Sequence, residues 1–289
     1  MHFAEESLQR WMTALDDALP LSALTLAGSH DTCAYTVDDA LARTQNATLA
    51  DQLDHGVRVL DIRCRHQDDV FHINHAGIAL GLMFDDVIAT CAAFLAQHPG
   101  ECIVMSVKDE CGTRNCTRGF DETFSAYVRE SHDVRWYLNE AIPRLGEVRG
   151  SIVLLRRFSS DTTLGIDLSA WPDNTSFDLD DSGAAFAIQD EFRVPVRASI
   201  EYKWHAVNAL LERTSSLNGA RWAVNFCSGT GMAANPAWVA WGDAQTQGIN
   251  ARLIEWLAGH DRGCGTMMLD FCERHDWSVV RALVTRNRV

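Results

Sequence analysis

The chain has 289 residues, of which 47% are hydrophobic and 22% are charged, and 25 Lys and Arg against 39 Asp and Glu give a formal net charge of −14. This acidic balance excludes broad nucleic-acid binding, which needs a basic face, and docking on anionic membranes by charge alone. The length suits one large domain or two small ones, and an α/β barrel falls near 250 residues. No apolar run approaches the roughly 20 residues of a membrane span.

The first segment, residues 1–19, carries acidic residues and is interpreted as an amphipathic helix. It has neither the basic start nor the apolar run of a signal peptide. The nine cysteines leave at least one thiol unpaired within the chain, and most are expected to be small buried apolar residues. Cys111 and Cys116 lie in a turn-like CGTRNC segment and could pair. This cysteine usage favours a reducing compartment.

Short runs rich in Val, Ile and Leu alternate along the chain with helix-like stretches. The strands are predicted at residues 24–27, 57–64, 70–73, 102–107, 152–156, 185–188, 220–226 and 266–271. Residues 84–97 have apolar positions at i, i+3, i+4 and i+7 and end at His-Pro-Gly, and residues 249–258 form a second predicted helix. This alternation favours a parallel sheet, and the absence of any linker or repeat predicts one domain over residues 1–289.

Charged residues and histidines recur where the predicted strands end. The set is His30, Asp31, Arg63, His75, Lys108, Asp109, Glu110, Arg157, Asp190 and Asp270. In a closed barrel these strand ends converge on one rim, whereas in an open sheet they would spread along an edge. The pattern therefore favours an α/β fold of the (β/α)8 TIM type with a site at the rim.

The residue types in this set suit phosphoryl transfer without a metal. Two histidines can serve as base and acid because their unperturbed pKa lies near working pH. An arginine offers a fixed fork of donors that matches a phosphate, and carboxylates can orient each imidazole.

Several segments resemble the catalytic domain of the phosphatidylinositol-specific phospholipase C family. GSHDT at 28–32 and FHINHAG at 71–77 resemble its two histidine motifs, and TQNATLADQLDHGVRVLDIRCR at 44–65 is similar to the segment before and through its second strand. Weaker similarities follow in order, namely VMSVKDE at 104–110, IQDEF at 188–192, NFCSGTG at 225–231 and MLDF at 268–271.

The resemblance implies a distorted (β/α)8 barrel and a two-step reaction. The inositol 2-hydroxyl attacks its own phosphate, which releases diacylglycerol and cyclic 1,2-inositol phosphate, and slow hydrolysis of the cyclic product follows. In this family pattern His30 is the general base oriented by Asp270, and His75 is the general acid assisted by Asp31. Arg63 contacts the phosphate and stands where metal-dependent relatives hold a cation, so no metal or other cofactor is expected.

The family pattern also implies a shell of residues around the inositol ring. Lys108, Glu110, Arg157 and Asp190 are expected to bind its hydroxyl groups. Phe192 stands where the bacterial enzymes usually have a tyrosine that stacks on inositol, so the ring face is kept and the hydroxyl is lost. The family is usually secreted, which leaves the compartment of this chain open.

Two other functions are also compatible with the sequence. One is a metal-dependent phosphodiesterase of the same barrel type, acting on glycerophosphodiesters or sphingomyelin, and the other is a non-catalytic module that binds inositol lipids. Trp238 and Trp241, in NPAWVAWGDA, either touch a membrane surface transiently or pack on the flank of the barrel. We expect a monomer whose partner is phosphatidylinositol or a related inositol phosphodiester.

Overall fold

The wall of the fold is a sheet whose strands follow one another around an axis in chain order. The computed structural model describes residues 8–181, 183–217 and 219–287. Its strands are β1 (Leu26–Ser29), β2 (Val59–Gln67), β3 (Val70–His75), β4 (Ile78–Met83), β5 (Ile103–Asp109), β6 (Arg135–Tyr137), β7 (Ser151–Arg157), β8 (Ile166–Asp167), β9 (Ser176–Asp181), β10 (Ala184–Gln189), β11 (Trp222–Phe226) and β12 (Thr266–Leu269).

Helices connect the strands of the wall. They are α1 (Leu49–Asp54), α2 (Phe84–Gln97), α3 (Phe120–Glu130), α4 (Leu145–Val148), α5 (Ile200–Leu217), α6 (Pro236–Trp241), α7 (Ile249–Gly259) and α8 (Arg274–Val284), with 3-10 turns at Leu21–Ala23, Arg197–Ser199 and Thr285–Asn287. The predicted helix at 84–97 has these bounds in the structure, and the one at 249–258 is longer by one residue. Within the described residues, no helix combines the length and apolarity needed to cross a bilayer.

The strands of the wall run in the order β7–β5–β2–β1–β12–β11–β10, and each neighbouring pair is parallel. Strands β5, β7, β11 and β12 are buried along nearly their whole length, as continuous apolar runs between a core and a layer of helices should be. Short strands β6 and β8 extend the wall beside β7, and β9 pairs antiparallel with β10. In the part of the chain that is described, no ladder joins β7 or β8 to β9 or β10, so the barrel is open on that side.

The predicted strand at 70–73 is present but does not belong to the parallel wall. It forms β3, which pairs antiparallel with β2 and continues into β4. The connection from Gln67 to Val70 contains two residues, Asp68 and Asp69, both with positive φ. A two-residue turn can join only antiparallel strands, since a parallel crossover needs a dozen residues or more.

The prediction of a helix over residues 1–19 is wrong in the part that can be compared. Residues 1–7 lie outside the described residues, and from residue 9 onward the segment forms turns closed by i to i−3 hydrogen bonds, such as Thr13 N to Arg10 O. Arginine side chains reach its carbonyl groups: Arg58 Nη2 donates to Gln9 O at 2.8 Å and Arg149 Nη2 donates to Leu15 O at 2.8 Å. Tertiary donors thus replace the backbone donors that a helix would have used.

A buried ion pair fixes this segment to the barrel. Arg58 and Glu101 are both 0% exposed, and Nε and Nη2 of the arginine donate to Glu101 Oε2 at 3.1 and 3.0 Å. The same carboxylate accepts the backbone N–H groups of Met12 and Thr13 at 3.2 and 2.9 Å. Removal of the carboxylate would take away the counterion of Arg58 and the acceptor that Arg58 Nε and Met12 N share.

We predict that Glu101→Ala lowers the free energy of unfolding by about 3–5 kcal/mol, because it leaves the Arg58 charge buried and unpaired. The matched control is Glu201→Ala, which removes an exposed partner of Arg252 and should cost at most about 1 kcal/mol. Urea denaturation followed by circular dichroism measures both. Equal losses in the two variants would contradict the role given to the buried pair.

Candidate active site

The carboxyl ends of the wall strands enclose a cavity of about 490 Å³. Nine of the ten site residues predicted from the sequence line it, and these are His30, Arg63, His75, Lys108, Glu110, Arg157, Asp190, Phe192 and Asp270. The tenth, Asp31, is 2% exposed and contacts three of the lining residues. The parallel register of the wall therefore brings distant parts of the chain to one site.

The first histidine lies where β1 and β12 end side by side. Ser29 is paired with Leu269, so the residues that follow, His30 and Asp270, face each other. His30 Nδ1 lies 2.8 Å from Asp270 Oδ1. Burial alone would lower the pKa of His30, but the Asp270 carboxylate outweighs it, and the pKa is raised above its ordinary value of 6.5. With Nδ1 held by the carboxylate, Nε2 is the nitrogen left to exchange a proton.

The second histidine stands at the end of β3. His75 Nδ1 lies 2.6 Å from Asp31 Oδ2, and the same oxygen is 3.7 Å from His30 Nε2. Burial would raise the pKa of the Asp31 carboxyl, but the positive charge of Arg63 and the contact with His75 hold it below its usual 3.8. Asp31 is therefore an ionised group that lies between the two imidazoles.

Three carboxylates hold the Arg63 side chain in one position. Its Nε and Nη2 donate to Asp61 Oδ2 at 3.1 and 3.0 Å, and its Nη1 lies 3.3 Å from Asp31 Oδ2 and 3.4 Å from Glu110 Oε1. Burial would lower the pKa of Arg63, but these carboxylates raise it well above its ordinary value. Glu110 in turn binds Lys108 Nζ at 2.6 Å. The guanidinium is a fixed positive charge at the base of the cavity.

Three residues in or next to this group of side chains have a left-handed backbone conformation. Asp31, Ala76 and Phe271 have φ of 42°, 47° and 47°, and the last two directly follow His75 and Asp270. Such a conformation costs a non-glycine residue roughly 1–3 kcal/mol and persists only where the surrounding structure imposes it. The chain therefore turns sharply at each of the three strand ends that carry the site.

The opposite side of the cavity contains a residue that the sequence analysis missed. The ring of Trp171 lies under the guanidinium of Arg157, with Cζ 3.8 Å from the ring centroid, and its Nε1 donates to Asp190 Oδ2 at 2.9 Å. Trp171 follows the short strand β8, and no motif distinguishes it from the other eight tryptophans of the chain. The tryptophan sets the positions of an arginine and a carboxylate that both line the cavity.

The structure decides between the two interpretations of Trp238 and Trp241 in favour of packing. Trp238 is 7% exposed and its Nε1 donates to Asp243 Oδ2 at 2.9 Å. Trp241 Nε1 donates to Phe271 O at 2.9 Å, which ties α6 to the end of β12. Both indole groups therefore have protein partners; Trp238 is buried and Trp241 is half-buried.

Cys111 and Cys116 are both free thiols in the structure. Cys111 Sγ donates to Ala76 O at 2.6 Å, and Cys116 Sγ donates to Arg114 O at 3.3 Å. The other seven cysteines are buried and free, as the sequence predicted for most of them.

Comparisons with known proteins agree with this geometry. Residues 18–158 match the family described as phosphatidylinositol-specific phospholipase C, X domain. A 1-phosphatidylinositol phosphodiesterase from Listeria monocytogenes is 27% identical over 97% of this chain and 85% of its own length. One from Staphylococcus aureus strain Newman is 28% identical over 77% of this chain and 76% of its own length.

Solved structures show the same likeness. A double mutant of the phosphatidylinositol-specific phospholipase C from S. aureus superposes with a TM-score of 0.86 at 26% identity, covering 99% of each chain. The L. monocytogenes phosphatidylinositol-specific phospholipase C superposes with a TM-score of 0.78 at 26% identity, covering 98% of this chain and 99% of the other. The predicted fold class, a distorted TIM-type barrel, is confirmed.

The class of protein is thus a TIM-type barrel in which residues 18–158 match the X domain of phosphatidylinositol-specific phospholipase C. The resemblance predicted from the sequence is confirmed: the chain is related along its length to the bacterial members of the phosphatidylinositol-specific phospholipase C family.

We predict that the pKa of His30 lies above 6.5 and that Asp270→Asn lowers it, because the mutation removes the negative charge that stabilises the imidazolium. Because the pKa of His30 is raised by folding, its protonation contributes stability that is fully present below pH 6.5 and is lost as pH rises through the folded-state pKa. Titration of the His30 ring protons by NMR measures both effects. Asp173→Asn, a cavity carboxylate outside the His30 contacts, is the control. A pKa of His30 at or below 6.5 in the wild type would contradict the role given to Asp270.

Proposed function

We propose that this protein is a metal-independent phosphatidylinositol-specific phospholipase C, which cleaves phosphatidylinositol to diacylglycerol and cyclic 1,2-inositol phosphate. The observation that carries the proposal is the meeting of three groups at one carboxylate oxygen. Asp31 Oδ2 lies within 3.7 Å of His30 Nε2, His75 Nδ1 and Arg63 Nη1. A base, an acid and a fixed positive charge are thus available to a single phosphodiester.

In the first step, His30 acts as general base and takes the proton of the inositol 2-hydroxyl. The hydroxyl oxygen forms a bond to phosphorus as the bond from phosphorus to the diacylglycerol oxygen breaks. His75, which contacts Asp31 through its Nδ1, gives a proton to that leaving oxygen. Arg63 offers its guanidinium to the phosphoryl oxygens, where negative charge develops. Water then opens the cyclic phosphate with the two histidines in exchanged roles.

The inositol ring is assigned to the polar side of the cavity. Lys108, Glu110, Arg157 and Asp190 provide charged donors and acceptors for its hydroxyl groups, and Phe192 provides an aromatic face. A cavity of about 490 Å³ is of the size that small-molecule sites have. The relatives named 1-phosphatidylinositol phosphodiesterase support phosphatidylinositol as the substrate.

Arg63 supports a reaction that needs no metal. Asp31 and Asp61 are the carboxylates that could hold a divalent cation near the phosphate, and both already contact the guanidinium. A cation placed between them would face a permanent positive charge at close range. A non-catalytic lipid-binding role is disfavoured for a different reason, since the cavity keeps both histidines together with this arginine.

We predict that His30→Ala and His75→Ala each lower kcat on phosphatidylinositol in detergent by at least about 100-fold, which is the lower range for loss of a general acid or base. Both variants should keep the wild-type circular dichroism spectrum, because the two rings stand at the rim. His72→Ala, three residues before His75 on β3, is the matched control and should stay close to wild-type activity. Loss of the fold in either cavity variant would indicate a structural role instead.

Arg63→Lys should lose activity almost as heavily, since a point charge cannot reproduce the fork of donors that Asp61 and the phosphate share. The measurement is kcat in the presence of EDTA, with and without added calcium. A lysine variant with near-wild-type rates would overturn the assignment. A wild-type enzyme that is inactive in EDTA and restored by calcium would favour the metal-dependent phosphodiesterase.

A further inference from the structure

A second group of ligand-type side chains lies outside the cavity, on the edge of the β2–β3 hairpin. An imidazole nitrogen of His66, a carboxylate oxygen of Asp69 and Sγ of Cys116 are all within 4.8 Å of one another. His66 is on β2, Asp69 is in the turn to β3, and Cys116 is in the segment between β5 and α3. None of the three lines the cavity that holds the paired histidines.

The histidine of this group has a nitrogen without a partner. His66 is 0% exposed, packed edge-on against the rings of Phe71 and Phe120. Its Nε2 lies 2.9 Å from Thr123 Oγ1, whereas Nδ1 is buried and has no hydrogen-bond partner among the residues that the structure describes. Buried polar atoms normally have a hydrogen-bond partner, so an unpaired buried nitrogen is a candidate ligand for a bound ion. A hydrogen bond from the other nitrogen is the usual arrangement for a metal-binding histidine.

The carboxylate is already oriented by its neighbours. Asp69 Oδ1 accepts from the backbone N–H groups of Thr117 and Arg118 at 2.8 and 3.3 Å, and Oδ2 accepts from Thr117 Oγ1 at 2.5 Å. These bonds hold the carboxylate beside the residue that precedes Thr117, which is Cys116. Each carboxylate oxygen has two lone pairs, so acceptor capacity remains for a cation.

One nitrogen, one carboxylate oxygen and one thiolate form a ligand set typical of zinc. Zinc bond lengths of 2.0–2.3 Å place tetrahedral ligand atoms about 3.5 Å apart, so the distances within the group need to shorten by up to roughly 1.3 Å. Cys116 is partly exposed and has exposed neighbours on both sides, so the shift is assigned to its side chain. His66 and Asp69 are both fixed within the hairpin.

We propose that His66 Nδ1, Asp69 and Cys116 bind a zinc ion, with water in the fourth position. The ion would join the β2–β3 hairpin to the segment after β5. The hairpin carries Arg63 and His75, and that segment begins at Glu110, which contacts Arg63 and Ala76 N. The site is therefore structural: the ion links two elements that contribute to the cavity and takes no part in proton transfer.

The test uses the full chain, kept reduced and stripped of metal with a chelator that is then removed. Addition of Co²⁺ should give one equivalent of bound ion, with a thiolate-to-cobalt charge-transfer band in the near ultraviolet. Cys116→Ser should abolish that band and weaken Zn²⁺ binding by at least about 100-fold in calorimetry, since loss of an orienting partner alone costs 10- to 100-fold. Asp69→Asn should weaken Zn²⁺ binding while keeping the band.

Cys111→Ser is the matched control, because it removes the other partly exposed thiol of the same segment and should bind both ions as the wild type does. Absence of a charge-transfer band in the wild type overturns the proposal. A band that survives Cys116→Ser, or that disappears in Cys111→Ser, overturns it as well. None of these measurements depends on phospholipase activity, so they test the zinc site independently of the proposed function.

Discussion

A single buried carboxylate oxygen, Asp31 Oδ2, is the point on which the site depends. It contacts His75 at 2.6 Å and Arg63 at 3.3 Å, and it lies 3.7 Å from His30. An ionised carboxylate that is 2% exposed is tolerable only with such partners, because an unpaired buried charge is too costly. The buried charge of Arg63 also needs partners, and it contacts Asp61 and Glu110 in addition to Asp31. The charged residues of the rim therefore stabilise one another as a network, and each position is defined by the others.

The topology explains how these groups meet. Parallel pairing of β1 with β12 places His30 opposite Asp270, and pairing of β2 with β5 places Arg63 opposite Lys108. His75 lies instead on β3, in an antiparallel hairpin that β3 forms with the part of β2 beyond the wall. The two histidines thus come from structurally distinct elements, and the Asp31 carboxylate lies between them. The open side of the barrel, between β7 and β10, carries the cavity wall formed by Arg157, Trp171 and Asp190.

Much of this arrangement could be predicted because it depends on local patterns. Continuous apolar runs marked the buried strands, and the helical periodicity of residues 84–97 matched α2 to the residue. Polar residues at strand ends indicated the rim. What the sequence could not show depends on tertiary partners. The turns of residues 9–19 follow from arginine donors elsewhere in the chain, and the burial of Trp238 follows from its bond to Asp243. Trp171 has no local signal, since its role comes from Arg157 and Asp190 across the cavity.

In the proposed reaction the inositol 2-hydroxyl attacks its own phosphodiester without a metal, and diacylglycerol leaves. The most direct measurement is phosphorus NMR of phosphatidylinositol in detergent during turnover by the wild-type protein in EDTA. We expect a transient signal of a five-membered cyclic phosphate, which decays slowly to inositol phosphate. Direct appearance of the open phosphate monoester, or no turnover until a divalent cation is added, would contradict it.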